Sequence, residues 1–370
     1  LINNVIMFIL VLYLLLCVEG INLPVQVVDL FCGVGGLTHG LIDSGLNVKA
    51  GFDIDGTCKY AYEHNNHCTF HQENIRDMDG EEINACYDPG VTKILVGCAP
   101  CQPFSQMRFK FGGENRNDEK YNLLSEFGRM INKVKPTIVS MENVPQIKKT
   151  NVYNKFFNLL NRQGYHVSAE VVFCPDYGIS QTRRRFVLLA SKLGDITLIP
   201  PTHDRNQVTI EQVIRDLPEL AAGEVDENDE LHRSARLSNK NLERIRASHP
   251  GGTWLDWPEN LRCECHKKVS GKTYSSVYGR LSWNQIGPTI TTQFYAYGTG
   301  RHGHPDQDRG LSLREGALLQ TFPPEYDFID PCVPFYFKDI ARHIGNAVPV
   351  RLGEVIGESI RNHLNNYGIV

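Results

Sequence analysis

Cys101 lies within residues 97–105, GCAPCQPFS, between Pro100 and Pro103. The two prolines fix φ on either side of the Cys101-Gln102 pair and discourage helix, which holds a thiol in one exposed orientation. A nucleophile needs such a perch. Cysteine is also among the most readily buried residues, and Cys98 with Cys101 makes a CxxC. A structural thiol and a redox dithiol are therefore the competing readings of this stretch. Two further groups carry chemistry. Glu142 follows the apolar run 136–141 (PTIVSM), and residues 176–186 (DYGISQTRRRF) set Gln181, Arg183 and Arg185 at alternate positions. Alternate side chains of an extended chain share a face, so these three are expected to point together. A thiol, a carboxyl and two permanent cations suit nucleophilic catalysis with charge stabilisation.

The elements around these residues predict where they meet. Residues 92–96 (TKILV) read as a buried parallel strand that delivers Cys101 to its carboxyl end, and 136–141 as another that delivers Glu142 to the same sheet edge. Residues 25–30 (VQVVDL) read as a first strand running into FCGVGGLTHG and a helix. The strict GxGxxG fingerprint fails, because Thr38 stands where the third glycine belongs. A second strand over 48–52 ends at Asp53, about 20 residues after the glycines, where an acidic side chain can bind a ribose diol. A nucleoside-containing cofactor follows, unless Asp53 and Asp55 only cap the helix expected over 56–64. Helices are expected over 121–134, 152–161, 313–320 and 348–363, and strands over 166–173 and 186–190. The last helix carries an apolar stripe of Leu352, Val355, Ile356 and Ile360 that packs it back on the first domain.

Composition is that of a soluble globular chain of 370 residues with a formal net charge of -4 and eleven cysteines in no paired spacing, which reads as a reducing compartment. Charge is uneven. Residues 211–230 hold eight acidic groups and one basic, whereas 231–280 hold ten Lys or Arg and four acidic, interleaved with Trp254, Trp257, Tyr274 and Tyr278. That pattern fits a nucleic-acid reading surface. Cys263, Cys265 and His266 lack a fourth ligand at metal spacing, so no metal is expected. Residues 107–120 read as a solvated loop or a lid with cations for phosphates. The uncharged run 5–18 is shorter than a membrane span. Residues 1–22 are read as an add-on outside the fold, with a membrane tether as the alternative.

Taken together, the chain closely resembles the cytosine-5 DNA methyltransferase family. The matches are DLFCGVGG (29–36), Asp53, CAPCQPFS (98–105), MENV (141–144), DYGISQTRRRF, RLSWNQIGPTITT from Arg280, LREGALLQTFPP from Leu313 and HIGNAVP from His343, in the family's order over about 25–358. Departures are Cys32 within the glycine turn, Asn74 where the family often has Asp, and Ser180 in place of a common proline.

The resemblance implies an α/β fold, a doubly wound and mostly parallel sheet. Residues 23–199 plus 335–370 would form the catalytic domain, and 200–334 a smaller, irregular target-recognition domain with its hinge. It implies S-adenosylmethionine as methyl donor, held by Phe31, Gly33, Gly35, Gly36, Leu37, Asp53, Ile54, Asn74, Ile75, Pro100, Asn346 and Ala347. Cys101 would add to ring carbon 6 of a flipped-out cytosine. Glu142, kept partly protonated, would act at ring nitrogen 3 and the amino group, and Arg185 at the carbonyl oxygen, supported by Arg183 and Gln181. Gln102 and Ser105 would face the DNA. The implied partners are duplex DNA and a cognate restriction endonuclease without physical contact, for a cytoplasmic, nucleoid-associated monomer with no membrane. The rivals are the tRNA-methylating branch of the family, a catalytically silent DNA-binding protein, and a dithiol oxidoreductase.

Overall fold

The computed structural model describes residues 24–100, 122–268 and 275–370. The expectations for Cys101, Gln102, Ser105, Tyr274, the loop 107–120 and the segment 1–22 lie outside them. Among the described residues no helix is long and apolar enough to cross a membrane.

Seven strands form one sheet: β1 (Val25–Leu30), β2 (Asn47–Asp53), β3 (Thr69–Gln72), β4 (Thr92–Gly97), β5 (Ile138–Asn143), β6 (His166–Phe173) and β7 (Arg184–Ser191). Their order is β3-β2-β1-β4-β5-β7-β6. The five strands from β3 to β5 pair in parallel, and β7 runs antiparallel to both β5 and β6. Alternation of period two sorts the side chains into two cores. Val27, Ile94, Val96 and Leu189 face one, while Val28, Leu95, Val139 and Leu188 face the other. With both faces covered, the central strands read as unbroken apolar runs. Sequence patterning misses β3, since TFHQ turns only Phe70 into a core.

On the first face lie α1 (Gly36–Asp43), α2 (Lys59–Asn66) and the C-terminal α6 (Val350–Asn366); on the second lie α3 (Leu123–Val134) and α4 (Asn151–Arg162). A helix unforeseen in the sequence, α5 (Phe337–Asn346), precedes α6. α1 and α6 meet backbone to backbone. A Cβ on Gly40 would lie 2.2 Å from the Val350 carbonyl oxygen, and one on Gly353 2.8 Å from that of Leu37. Glycine is required here by the close approach, not by a turn.

Ile210, Leu231, Leu281, Ile290 and Phe294 share the first face's core, whereas Ile245, Trp254, Trp257, Leu261 and Tyr297 make a small core of their own. The two tryptophans expected on a reading surface are instead 1% and 2% exposed. An aromatic-rich segment with no strand beneath it needs those rings for its own interior.

Gly40→Ala forces its methyl into backbone that cannot turn aside. It should lower stability by about 2 kcal/mol, read as a fall in the urea midpoint at unchanged slope; an unchanged midpoint would contradict the close α1–α6 contact.

Candidate active site

β1, β2, β4 and β5 end side by side. Leu30 pairs with Phe52 and Gly97, and Gly97 pairs with Met141. The winding of the sheet reverses between β1 and β4, which opens a crevice outside their carboxyl ends. A cavity of about 470 Å³ occupies it, lined among others by Phe31, Gly33, Leu37, Asp53, Ile54, Asn74, Ile75, Pro100, Asn346 and Ala347. All ten were expected to hold a cofactor. Gly35 and Gly36 differ, because a Cβ on Gly35 would meet the Asn66 amide at 2.5 Å and one on Gly36 the Val348 carbonyl oxygen at 2.3 Å. Both are closely packed, and the lining passes from Val34 to Leu37. Phe31 holds φ 60 in the left-handed region, an unusual conformation for a bulky residue that the turn around it enforces.

Asp53 ties two loops to its strand end. One oxygen accepts from the Gly33 N–H and the other from the Asp55 N–H, both at 2.9 Å. Helix capping falls to Asp55 alone, whose carboxylate accepts from Thr57 N–H. Asp55 also pairs with Arg342 of α5, and His343 sits 3.7 Å away. These contacts, His343 first, hold the Asp55 carboxyl far below its usual range. Asp29, at the cavity wall, was not anticipated as a site residue. It accepts from Thr38 Oγ1 at 2.8 Å through one oxygen, while the other has no hydrogen-bond partner among the described residues. Burial pushes its carboxyl up to about 8, opposed by Thr38 and reinforced by the charge of Asp53.

Glu142, at the end of β5, is 2% exposed. Its Oε1 pairs with Arg185 Nε at 2.7 Å, and its Oε2 accepts from the Cys98 thiol at 2.7 Å. Next to it, Asn143 donates to the Ala99 carbonyl at 2.9 Å, which anchors the chain leading to residue 101. No local pattern announces these two tethers, since both depend on how the β4 and β5 ends abut.

Gln181, Arg183 and Arg185 do not form one cluster. Gln181 is fully buried, donating to the Leu319 carbonyl and to Gln320 Oε1 and accepting from Ile290 N–H. Arg183 donates to the carbonyls of Ile290 and Ala347 at 3.0 and 3.3 Å. Arg185 alone turns to Glu142. The strand begins at Arg184, so Gln181 lies before the regular alternation starts. Several cations of the basic segment are likewise committed internally. Arg280 donates to the carbonyls of Ile245, Ser248, His304 and Gln307, and Arg262 to those of Trp257 and Leu255.

A family model described as C-5 cytosine-specific DNA methylase matches residues 25–362. The chain is 54% identical over 342 residues to the type II methylase M.HgiDII of Herpetosiphon aurantiacus, covering 91% of this chain and 95% of that one. It is 30% identical over 352 residues to the type II methyltransferase M1.BsuMI of Bacillus subtilis (strain 168), covering 90% and 79%. Among solved structures, the Entamoeba histolytica methyltransferase EhMeth superposes with a TM-score of 0.64 at 16% identity, over 92% of this chain and 98% of that one.

Asp29 gives a pH signature. A carboxyl raised on folding keeps a proton that the unfolded chain has released, so between about pH 4 and pH 8 stability falls as pH rises. Asp29→Asn, neutral throughout, should gain ~1 kcal/mol or more over the wild type at pH 8 and nothing near pH 4. Denaturation midpoints across that range check it, and parallel curves for the two proteins would refute it.

Proposed function

Because this chain belongs to the C-5 cytosine-specific DNA methylase family, we propose that it moves a methyl group from S-adenosylmethionine to carbon 5 of one cytosine within a specific duplex DNA sequence. The chain is a DNA cytosine-5 methyltransferase of the type II kind. The observation that carries the finer reading is the buried Glu142–Arg185 pair, set beside the cavity and joined by Cys98 to the strand that leads to Cys101.

The cavity residues fit the donor. Asp53 offers carboxylate oxygens at the distance from the glycine turn where a ribose diol would lie. The Asp29 oxygen without a hydrogen-bond partner among the described residues offers a polar atom at the wall. Phe31 presents a ring for a base to stack on. When bound, S-adenosylmethionine supplies a methyl group activated by its sulfonium.

The protein's own task is to make carbon 5 of cytosine nucleophilic. The target base leaves the stack, at a cost of roughly a few kcal/mol. The Cys101 thiolate then adds to ring carbon 6. Glu142 delivers a proton at ring nitrogen 3 and holds the exocyclic amine, which drains the electrons released by addition. Arg185 Nε lies 2.7 Å from Glu142 Oε1 as an ion pair, and Nη1 donates to the Arg184 carbonyl. The Arg185 guanidinium acts at the carbonyl oxygen of the base. Gln181 and Arg183 act as positioning residues, since their polar atoms fix the segments around Ile290, Gln320 and Ala347. After methyl transfer a base takes the carbon 5 proton and Cys101 departs. The chain is read as a cytoplasmic monomer, and its cognate restriction endonuclease as a genetic partner without physical contact.

Transfer of labelled methyl to plasmid DNA, followed by bisulfite sequencing, tests this reading. Methylated cytosines in one short motif are expected. Cys101→Ala should abolish incorporation while retaining donor binding. Labelling of tRNA and not of duplex DNA would overturn the substrate assignment. Glu142→Gln keeps the shape but not the acid, so turnover should fall by ~10²-fold to 10⁴-fold with donor affinity unchanged; near-wild-type turnover would remove Glu142 from the chemistry.

A further inference from the structure

Two groups of side chains outside the substrate chemistry have the make-up of metal ligands, and they differ in one respect. In the first, Asp55, Cys58 and His343 are close together, but the carboxylate is paired with Arg342 and His343 Nε2 lies 2.9 Å from Thr57 Oγ1. Nothing in that group is left wanting. In the second, the ligand atoms of Cys263, Cys265 and His266 all lie within 4.8 Å of one another. His266 is 5% exposed, and its Nδ1 has no hydrogen-bond partner among the described residues. A buried ring nitrogen without a partner is costly, and it asks for an explanation.

We propose that Cys263, Cys265 and His266 bind one divalent cation of the zinc class, which staples the small aromatic core to the chain around it. This goes beyond the methyl-transfer reading and does not depend on it. Tetrahedral zinc with sulfur at about 2.3 Å and nitrogen at about 2.0–2.1 Å sets neighbouring ligand atoms roughly 3.5–3.8 Å apart. Side-chain rotation at Cys263 and Cys265, at the head of the short helix Glu264–Lys267, closes the remaining gap. The imidazole is already oriented, stacked on Trp254 with ring centroids 4.1 Å apart. Three side chains leave one tetrahedral position for a further ligand.

The fold gives such a staple a purpose. Ile245, Trp254, Trp257, Leu261 and Tyr297 form a separate core carried by short helices. So small a core gains little from burial alone, and a metal is one of the few ways to rigidify it. The sequence assigned no metal here, because CxCH lacks a fourth ligand. The structure adds the orphaned nitrogen and the convergence of the three side chains.

The test uses the full chain, with any affinity tag removed. Zinc is counted by mass spectrometry after incubation with zinc and gel filtration, and cobalt binding is followed by optical absorption. The wild type should hold about one zinc per chain at this site, and cobalt should give thiolate charge-transfer and tetrahedral bands. Cys265 is exposed, so Cys265→Ser should leave the fold intact while weakening zinc by ~100-fold or more. Cys332→Ser, at an exposed thiol elsewhere, should change nothing. Zinc at the buffer blank in the wild type overturns the proposal. So does wild-type affinity in both Cys265→Ser and Cys263→Ser, which would place the ion elsewhere. If both variants fail to fold, absence of the thiolate band from cobalt-loaded wild type refutes the site, and its presence with release of the metal by a thiol-blocking reagent supports it.

Discussion

Glu142 is a carboxyl almost entirely removed from water, and its pairing governs how this half of the sheet is built. Breaking a buried pair by removing one partner costs about 3–5 kcal/mol, because the remaining charge has nowhere to go. The partner comes from β7, which lies beside β5 and antiparallel to it, so that the start of β7 meets the end of β5. A parallel strand in that position would bring its far end to Glu142. The reversed direction of β7 is therefore what delivers Arg185 to the edge where the other strand ends gather.

A second buried polar joint extends the arrangement to the rest of the chain. Gln181 and Arg183 contact the segment at Ile290, the end of the helix Leu313–Leu319 through Leu319 and Gln320, and the turn at Ala347 between α5 and α6. Segments more than a hundred residues apart are thus held by groups that have no water to fall back on. Buried networks of this kind favour one arrangement over its near neighbours, since a shift strands donors and acceptors. The cavity inherits its shape from this joint, because Asn346 and Ala347 close it from the same turn.

Close helix contact completes the frame. α6 lies against α1 through glycines on both helices, which brings the C-terminal segment under the glycine turn and sets Val348 against Gly36. Val348 also lines the cavity, so this contact braces the turn at the cavity wall. Phe31, Gly33 and Asp53 line the same cavity, with the backbone of Phe31 held in a conformation it would not adopt alone.

The residues by themselves determined a good deal: the apolar runs of β1, β2, β4 and β5, the strand-turn-helix at the glycines, and the placing of Asp53 and Glu142 at strand ends. Each is a local consequence of periodicity and chain stiffness, so each is written in a few consecutive positions. Tertiary structure decided what local pattern cannot encode. Gly35 and Gly36 are crowded by α2, Tyr326 and Val348, contacts that no local pattern announces. Arg185 parted from Gln181 and Arg183, which share partners at Ile290 and Gln320, because only Arg185 lies within a strand. The aromatic rings of the basic segment turned inward, because no sheet lies beneath them to supply a core. Contact between residues distant in the chain depends on which surfaces remain to be covered once the strands have paired, and that is settled by the fold as a whole.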